Sequence, residues 1–120
     1  MSKEVDLVLM EELFNRYKNQ YINKRMTDKQ NENLKYWHER ANKYGITLSQ
    51  IDNWMYETKI IPKMLTIFET GIVFAKLKIF AVDFTQFLNF IDQLSREKNL
   101  DANVIKMKML EPKSDDSQKL

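Results

Sequence analysis

Histidine is the side chain that most often moves a proton or holds a metal at neutral pH, and this 120-residue chain has one, His38. It stands beside Trp37 in a stretch of helical periodicity, where an imidazole on a helix surface is the expectation. A metal site built on it would need carboxylates alone, and no spacing supplies them. Glu11–Glu12 and Asp115–Asp116 are sequence neighbours, and adjacent side chains on a helix do not face each other. Ser2, Ser49, Ser95, Ser114 and Ser117 lack the sharp turn that exposes a nucleophile. Two glycines cannot build a phosphate-cradling loop, and with no cysteine there is no thiol nucleophile, thiolate metal site or disulfide. These residues point away from an enzyme, and to neither a cofactor nor a metal.

The remaining chemistry is charge. Net charge is only +2, but residues 14–44 carry eight Lys or Arg against three acids, and residues 59–82 four Lys against one acid. Asn15 to Arg25 interleaves bases, amides and aromatics. Arg16, Lys18, Lys24 and Arg25 could hold phosphates there, or form the solvated face of a helix whose Tyr17 and Tyr21 are core.

Elements that would position these residues follow from periodicity. A first helix is expected from about Glu4 to Tyr21, with Leu9, Leu13, Phe14, Tyr17 and Tyr21 on its apolar face. Asn23 to Met26 interrupts it. Thr27 and Gln30 form a capping box opening a second helix at Asp28, with a stripe through Leu34, Trp37, Ala41 and Tyr44. Gly45 ends that helix where a left-handed residue costs least. Thr47 and Gln50 form the next capping box, Ile46 and Ile51 sit where a hydrophobic staple would, and a third helix runs from about Leu48 to Lys59.

The unit from Arg40 to Trp54 resembles the DNA-binding helix-turn-helix superfamily in Ala41, Gly45, Ile46, Ile51 and Trp54. The match covers about 20 of the 120 residues. The resemblance implies that Ser49, Gln50 and Asn53 face a major groove and read base edges. Arg16, Lys18, Lys24, Arg25, Lys43, Lys76 and Lys78 would then hold phosphates. The sequence departs from that pattern between Gly45 and Thr58, which holds no Lys or Arg but does hold Asp52 and Glu57.

Met64 to Val82 reads two ways. Ile61, Leu65, Phe68, Ile72, Ala75, Ile79 and Val82 repeat at four and three, the spacing of a long helix or a dimer seam. Gly71 and the β-branched content instead favour a hairpin turning at Glu69-Thr70-Gly71, which would make the fold winged-helix-like. The hairpin is the preferred reading. Asp83 or Thr85 caps an amphipathic helix to about Lys98, with Phe84, Phe87, Leu88, Ile91 and Leu94 inward. After an Asn99-Leu100-Asp101 break, the alternation from Asn103 to Leu110 suits a short strand.

The fold class expected is mainly α with a small β-hairpin, or alternatively an all-α bundle. Residues 1–111 would form one domain and 112–120 a mobile tail. The N-terminus does not suit a signal peptide, and no apolar run reaches membrane-spanning length, so a cytoplasmic protein without a membrane partner is expected. The functional expectation is a homodimer binding double-stranded DNA, a transcription regulator or a phage or plasmid accessory protein. The alternative is a helical protein-interaction module, an inhibitor or adaptor docking a protein partner.

Overall fold

The computed structural model describes residues 4–19 and 45–112. They form helices α1 (Leu7–Lys18), α2 (Leu48–Glu57), α3 (Ile67–Ala75), α4 (Phe84–Glu97) and α5 (Ala102–Met109), with strands β1 (Ile46–Thr47) and β2 (Ala81–Val82). The protein is mainly helical with a small antiparallel sheet, as its composition implies. The expected second helix, the linker before it and the tail from 113 onward lie outside the described residues.

Each described helix opens on a side-chain cap. Asp6, Thr47, Thr66, Asp83 and Asp101 accept from backbone N–H groups that the first helical turn leaves unpaired. Thr47, Thr66 and Asp83 are full capping boxes, with Gln50, Glu69 and Gln86 reaching back to the cap residue's N–H. Two helices stop by one device without glycine. Lys59 and Asn99 take φ of 65° and 58°, and Ile60 and Leu100 donate backwards to the Met55 and Ser95 carbonyls at 2.8 Å each. These are Schellman ends with the left-handed residue just past the helix.

The strands are not a hairpin. β1 and β2 pair across 33 intervening residues, Ile46 opposite Val82 and Thr47 opposite Ala81. Each strand runs straight into a capping box, Thr47–Gln50 or Asp83–Gln86, so two similar strand-to-helix corners sit back to back. Helix α3 occupies the segment where the hairpin was expected, and α5 replaces the expected strand at 103–110. Thr66–Glu69 and the Asp101 cap open those helices, against the β-branched content and alternation of their sequences.

The core gathers every described element. Helix α4 packs on α3 and α5, α2 on α1 and α3, and α1 covers β1. Met10, Phe14, Ile46, Ile51, Trp54, Met55, Phe87, Phe90, Ile91, Leu94, Ile105 and Met109 are all buried. Trp54 stacks on Tyr17 at 5.0 Å and on Phe87 at 5.3 Å between ring centroids, and its indole N–H donates to the Met109 carbonyl at 2.9 Å. One residue thereby joins α1, α2, α4 and α5.

The two glycines have opposite environments. Gly45 has φ of 141°, and a Cβ there would overlap the Val82 carbonyl and crowd the Asp83 N–H. A Cβ on Gly71 would meet nothing within 4 Å. Gly45→Ala should therefore cost at least about 3 kcal/mol, from strain plus loss of the β1–β2 approach. Gly71→Ala should stabilise by about 0.5–1 kcal/mol, the helix-interior preference for alanine. Urea unfolding of the two variants beside the parent checks both signs.

Candidate functional site

Helix α2 turns only part of the expected reading set outward. Ser49 and Asn53 are exposed, but Gln50 is only 4% accessible. The Gln50 amide oxygen accepts from the Thr47 N–H at 3.0 Å, and its amide nitrogen donates to the Lys18 carbonyl at 2.7 Å. The side chain expected to read a base instead ties α2 to the last turn of α1. Its capping-box role was legible in the sequence; the same geometry turns the amide inward.

Those of the expected phosphate-binding residues that are described have separate settings. Arg16 lies in a cleft with Tyr17, Trp54 and Glu57. Lys18 lends its carbonyl to Gln50. Lys76 is held by Glu97 at 2.6 Å, which keeps the Glu97 carboxyl below its ordinary range. Lys78 is exposed in the left-handed turn after α3. Lys24, Arg25 and Lys43 lie outside the described residues.

Buried polar chemistry is structural. The Tyr17 hydroxyl donates to Glu57 Oε1 at 2.6 Å; burial, and then this carboxylate, raise the Tyr17 pKa well above its usual value. Among the described residues no group of three or more His, Cys, Asp or Glu could hold a metal ion. The α3–β2–α4 connection is a helix–loop–helix, the form that carries calcium loops. Its eight intervening residues hold one carboxylate, Asp83, and that carboxylate caps α4.

The unusual surface is on α3. Its inward side buries Thr70, Val73 and Phe74, and the Thr70 hydroxyl lies 2.7 Å from Asp52 Oδ1 on α2. Its flank is tied to α4 by Lys76–Glu97 and by Glu69–Lys98 at 3.3 Å. Its outer side is apolar. Ile67, Phe68 and Ile72 are 57%, 76% and 60% accessible, and Ile79 and Phe80 just beyond are exposed as well. Of the nine large hydrophobic side chains exposed among the described residues, these five fall within fourteen positions, while Leu7, Val8, Tyr56 and Val104 are dispersed over three helices. A surface helix normally turns polar residues outward, so apolar residues on both sides mark a face made to be covered. The repeat through Phe68, Ile72, Ala75 and Ile79 was visible in the sequence as a seam; reading the segment as a hairpin obscured its orientation.

Among the described residues, fold and surface together define a small bundle of short capped helices in which the outer face of α3 is apolar and exposed. The chain belongs to the p25-alpha family, whose model matches residues 11–119. No curated protein and no solved structure matches the chain. The family assignment overturns the helix-turn-helix resemblance and, with it, double-stranded DNA as the partner and transcription regulation as the role: p25-alpha is a protein-interaction family and not a DNA-binding one. Among the described residues no helix is long and apolar enough to cross a membrane.

Two predictions concern what holds α3 and α2 in place. Burial raises the Asp52 pKa from 3.8 to about 6, against the lowering effect of the Thr70 hydroxyl. Folding then favours the protonated acid, so this carboxyl opposes folding fully above pH 6, and the opposition fades as pH falls from about 6 to about 4. Asp52→Asn keeps an acceptor for Thr70 and should stabilise the protein at pH 7 by about 1 kcal/mol, discounted for partial exposure. Thermal unfolding should show the advantage vanishing by about pH 4. Gln50→Ala leaves the part-buried Lys18 carbonyl and the buried Thr47 N–H without their partner, and should cost about 1–3 kcal/mol in denaturant unfolding.

Proposed function

We propose that the protein is a non-enzymatic interaction module that docks a protein partner on the outer face of α3 and the turn after it. The observation that carries this reading is the clustering of Ile67, Phe68, Ile72, Ile79 and Phe80 on the surface of an otherwise well-buried fold. Membership of p25-alpha supports it. So does the way α3 is held, because every polar tie described for this helix lies on its inner side or flank. The outer face is thus presented rigidly, and a preorganised face loses little on binding.

Rigid presentation matters because aromatic and branched aliphatic side chains dominate interface energetics when they fill a partner's pocket. Phe68 and Ile72 lie one helical turn apart, the spacing at which one helix grips another.

Site-specific photocrosslinking in the native host tests the proposal. A photoreactive residue at Phe68 or Ile72 should give a discrete protein adduct, and one at Ser49 or Asn53 on α2 should not. Ile72→Asp should reduce the adduct formed from position 68 at least tenfold while leaving thermal unfolding within about 2 °C, since position 72 is solvent-exposed. Equal crosslinking from both helices, or none from α3, would sink the reading.

A further inference from the structure

The charges around the α3 face say what kind of segment it takes. The face is bounded along one flank by ion pairs that are already satisfied, Lys76 with Glu97 and Glu69 with Lys98. Glu69 also accepts from the Thr66 N–H at 3.0 Å, so its carboxylate is fully used. Its ends differ from its flank. Lys63 lies three residues before the Thr66 cap, and Lys78 three residues after Ala75. Both are exposed, and neither takes part in an ion pair among the described residues. Asp52, on the neighbouring helix, sits against the inner side of α3 and is engaged by Thr70. The apolar side of α3 therefore has a cation shortly before the helix and another shortly after it, and no uncommitted acid along its flank.

The shape of the face adds a second constraint. Nine helical residues span about 14 Å, and Phe68, Ile72 and Ala75 follow one another at four and three along it, with Ile79 four further on. Gly71 lies among them, and space above it is open to 4 Å, so nothing inside the fold requires glycine there. An α-helix interior without a side chain, at a position where the fold would accept one, leaves room for a facing backbone to come close.

Resting on the interaction reading above, we infer that the α3 face receives an amphipathic helix whose apolar stripe is bracketed by acidic residues, its carboxylates meeting Lys63 and Lys78. Electrostatic complementarity of this kind sets register and association rate, while Phe68 and Ile72 supply the contact. An anionic lipid surface is the other chemistry that exposed aromatics and lysines suggest. It is disfavoured because membrane attachment by charge draws on clusters of about four to eight bases, and here two are uncommitted.

The test is selection from a display library of sixteen-residue helical peptides with a fixed leucine stripe and randomised flanks, against the full chain. Selected peptides should carry Asp or Glu at both ends of the stripe. Their affinity should fall at least tenfold with Ile72→Asp, and at least fivefold with Lys63→Glu plus Lys78→Glu. That double variant should in turn prefer Lys-flanked versions of the same peptides. Raising salt from 50 to 300 mM should weaken binding to the parent. Neutral or basic flanks among the selected peptides, indifference to the charge reversal, or an absence of binders each overturns the acidic-helix proposal. Two parallel measurements identify the other occupants and would overturn it as well: flotation with vesicles of phosphatidylcholine and phosphatidylserine at three to one, and sedimentation equilibrium showing self-association abolished by Ile72→Asp. If photocrosslinking from position 68 succeeds while the library yields no acidic-flanked binder, the docking face stands and only the chemistry assigned to its partner is wrong.

Discussion

The structure depends on Trp54. Its ring lies nearly parallel to both Tyr17 and Phe87, at interplanar angles of 10° and 9°, and its one polar atom is satisfied by a carbonyl at the end of α5. A buried indole fills more volume than any other side chain, but it can be fully enclosed only where its N–H finds an acceptor. Meeting both demands at once fixes the distances from α2 to α1 and α4, and places the end of α5. Phe14 and Phe84 extend the aromatic cluster by an edge contact at 5.4 Å. The short helices have little stability of their own, so this shared contact is what makes them cooperate.

The second constraint is the approach of two chain segments at Gly45. A two-residue sheet has too few hydrogen bonds to be stable alone. It persists because each strand is the lead-in to a capped helix whose apolar side is buried. Gly45 permits the contact by having no side chain where the Val82 carbonyl passes. The strands thus act as a clamp between the α2 and α4 corners, and Ile46 and Val82, both wholly buried, connect the clamp to the core.

How much of this was legible in the sequence varied with how local the determining interaction is. The α2 and α4 boundaries, the Thr47–Gln50 box, the Asp83 cap and the break at Asn99 were all readable, because caps and left-handed ends depend on residues within four positions of one another. Helix α3 was also marked locally, by Thr66 and Glu69, but its β-branched residues and Gly71 weighed toward a hairpin. Tertiary packing of Val73 and Phe74 beneath α4 settles that competition, and packing is not written in a window of nine residues. The β1–β2 pairing was not readable at all, since nothing in Ile46–Thr47 names Ala81–Val82 as its partner. The inward turn of Gln50 failed for a related reason: an amide that caps a helix and an amide that reads a base look alike until the neighbouring Lys18 carbonyl is in place. The glycine turn and flanking apolar residues that resemble a helix-turn-helix serve here to bring two strand-to-helix corners together.

The outer face of α3 is best understood as a surface the fold supports at a cost. Ile67, Phe68 and Ile72 leave more than half of their surface in water, and exposed apolar area forgoes roughly 25 cal/mol for each Å² that could have been covered. Polar replacements there would leave the Thr66–Glu69 box, the Thr70–Asp52 contact and the two ion pairs to α4 untouched, because all of these lie on other sides of the helix. Nothing in the described fold therefore calls for hydrophobic residues at those positions. The same argument applies to Gly71, where alanine would strengthen the helix without meeting a neighbour. Residues that oppose their own fold's stability, collected on a helix whose other sides are firmly tied, are what the docking reading proposed above rests on.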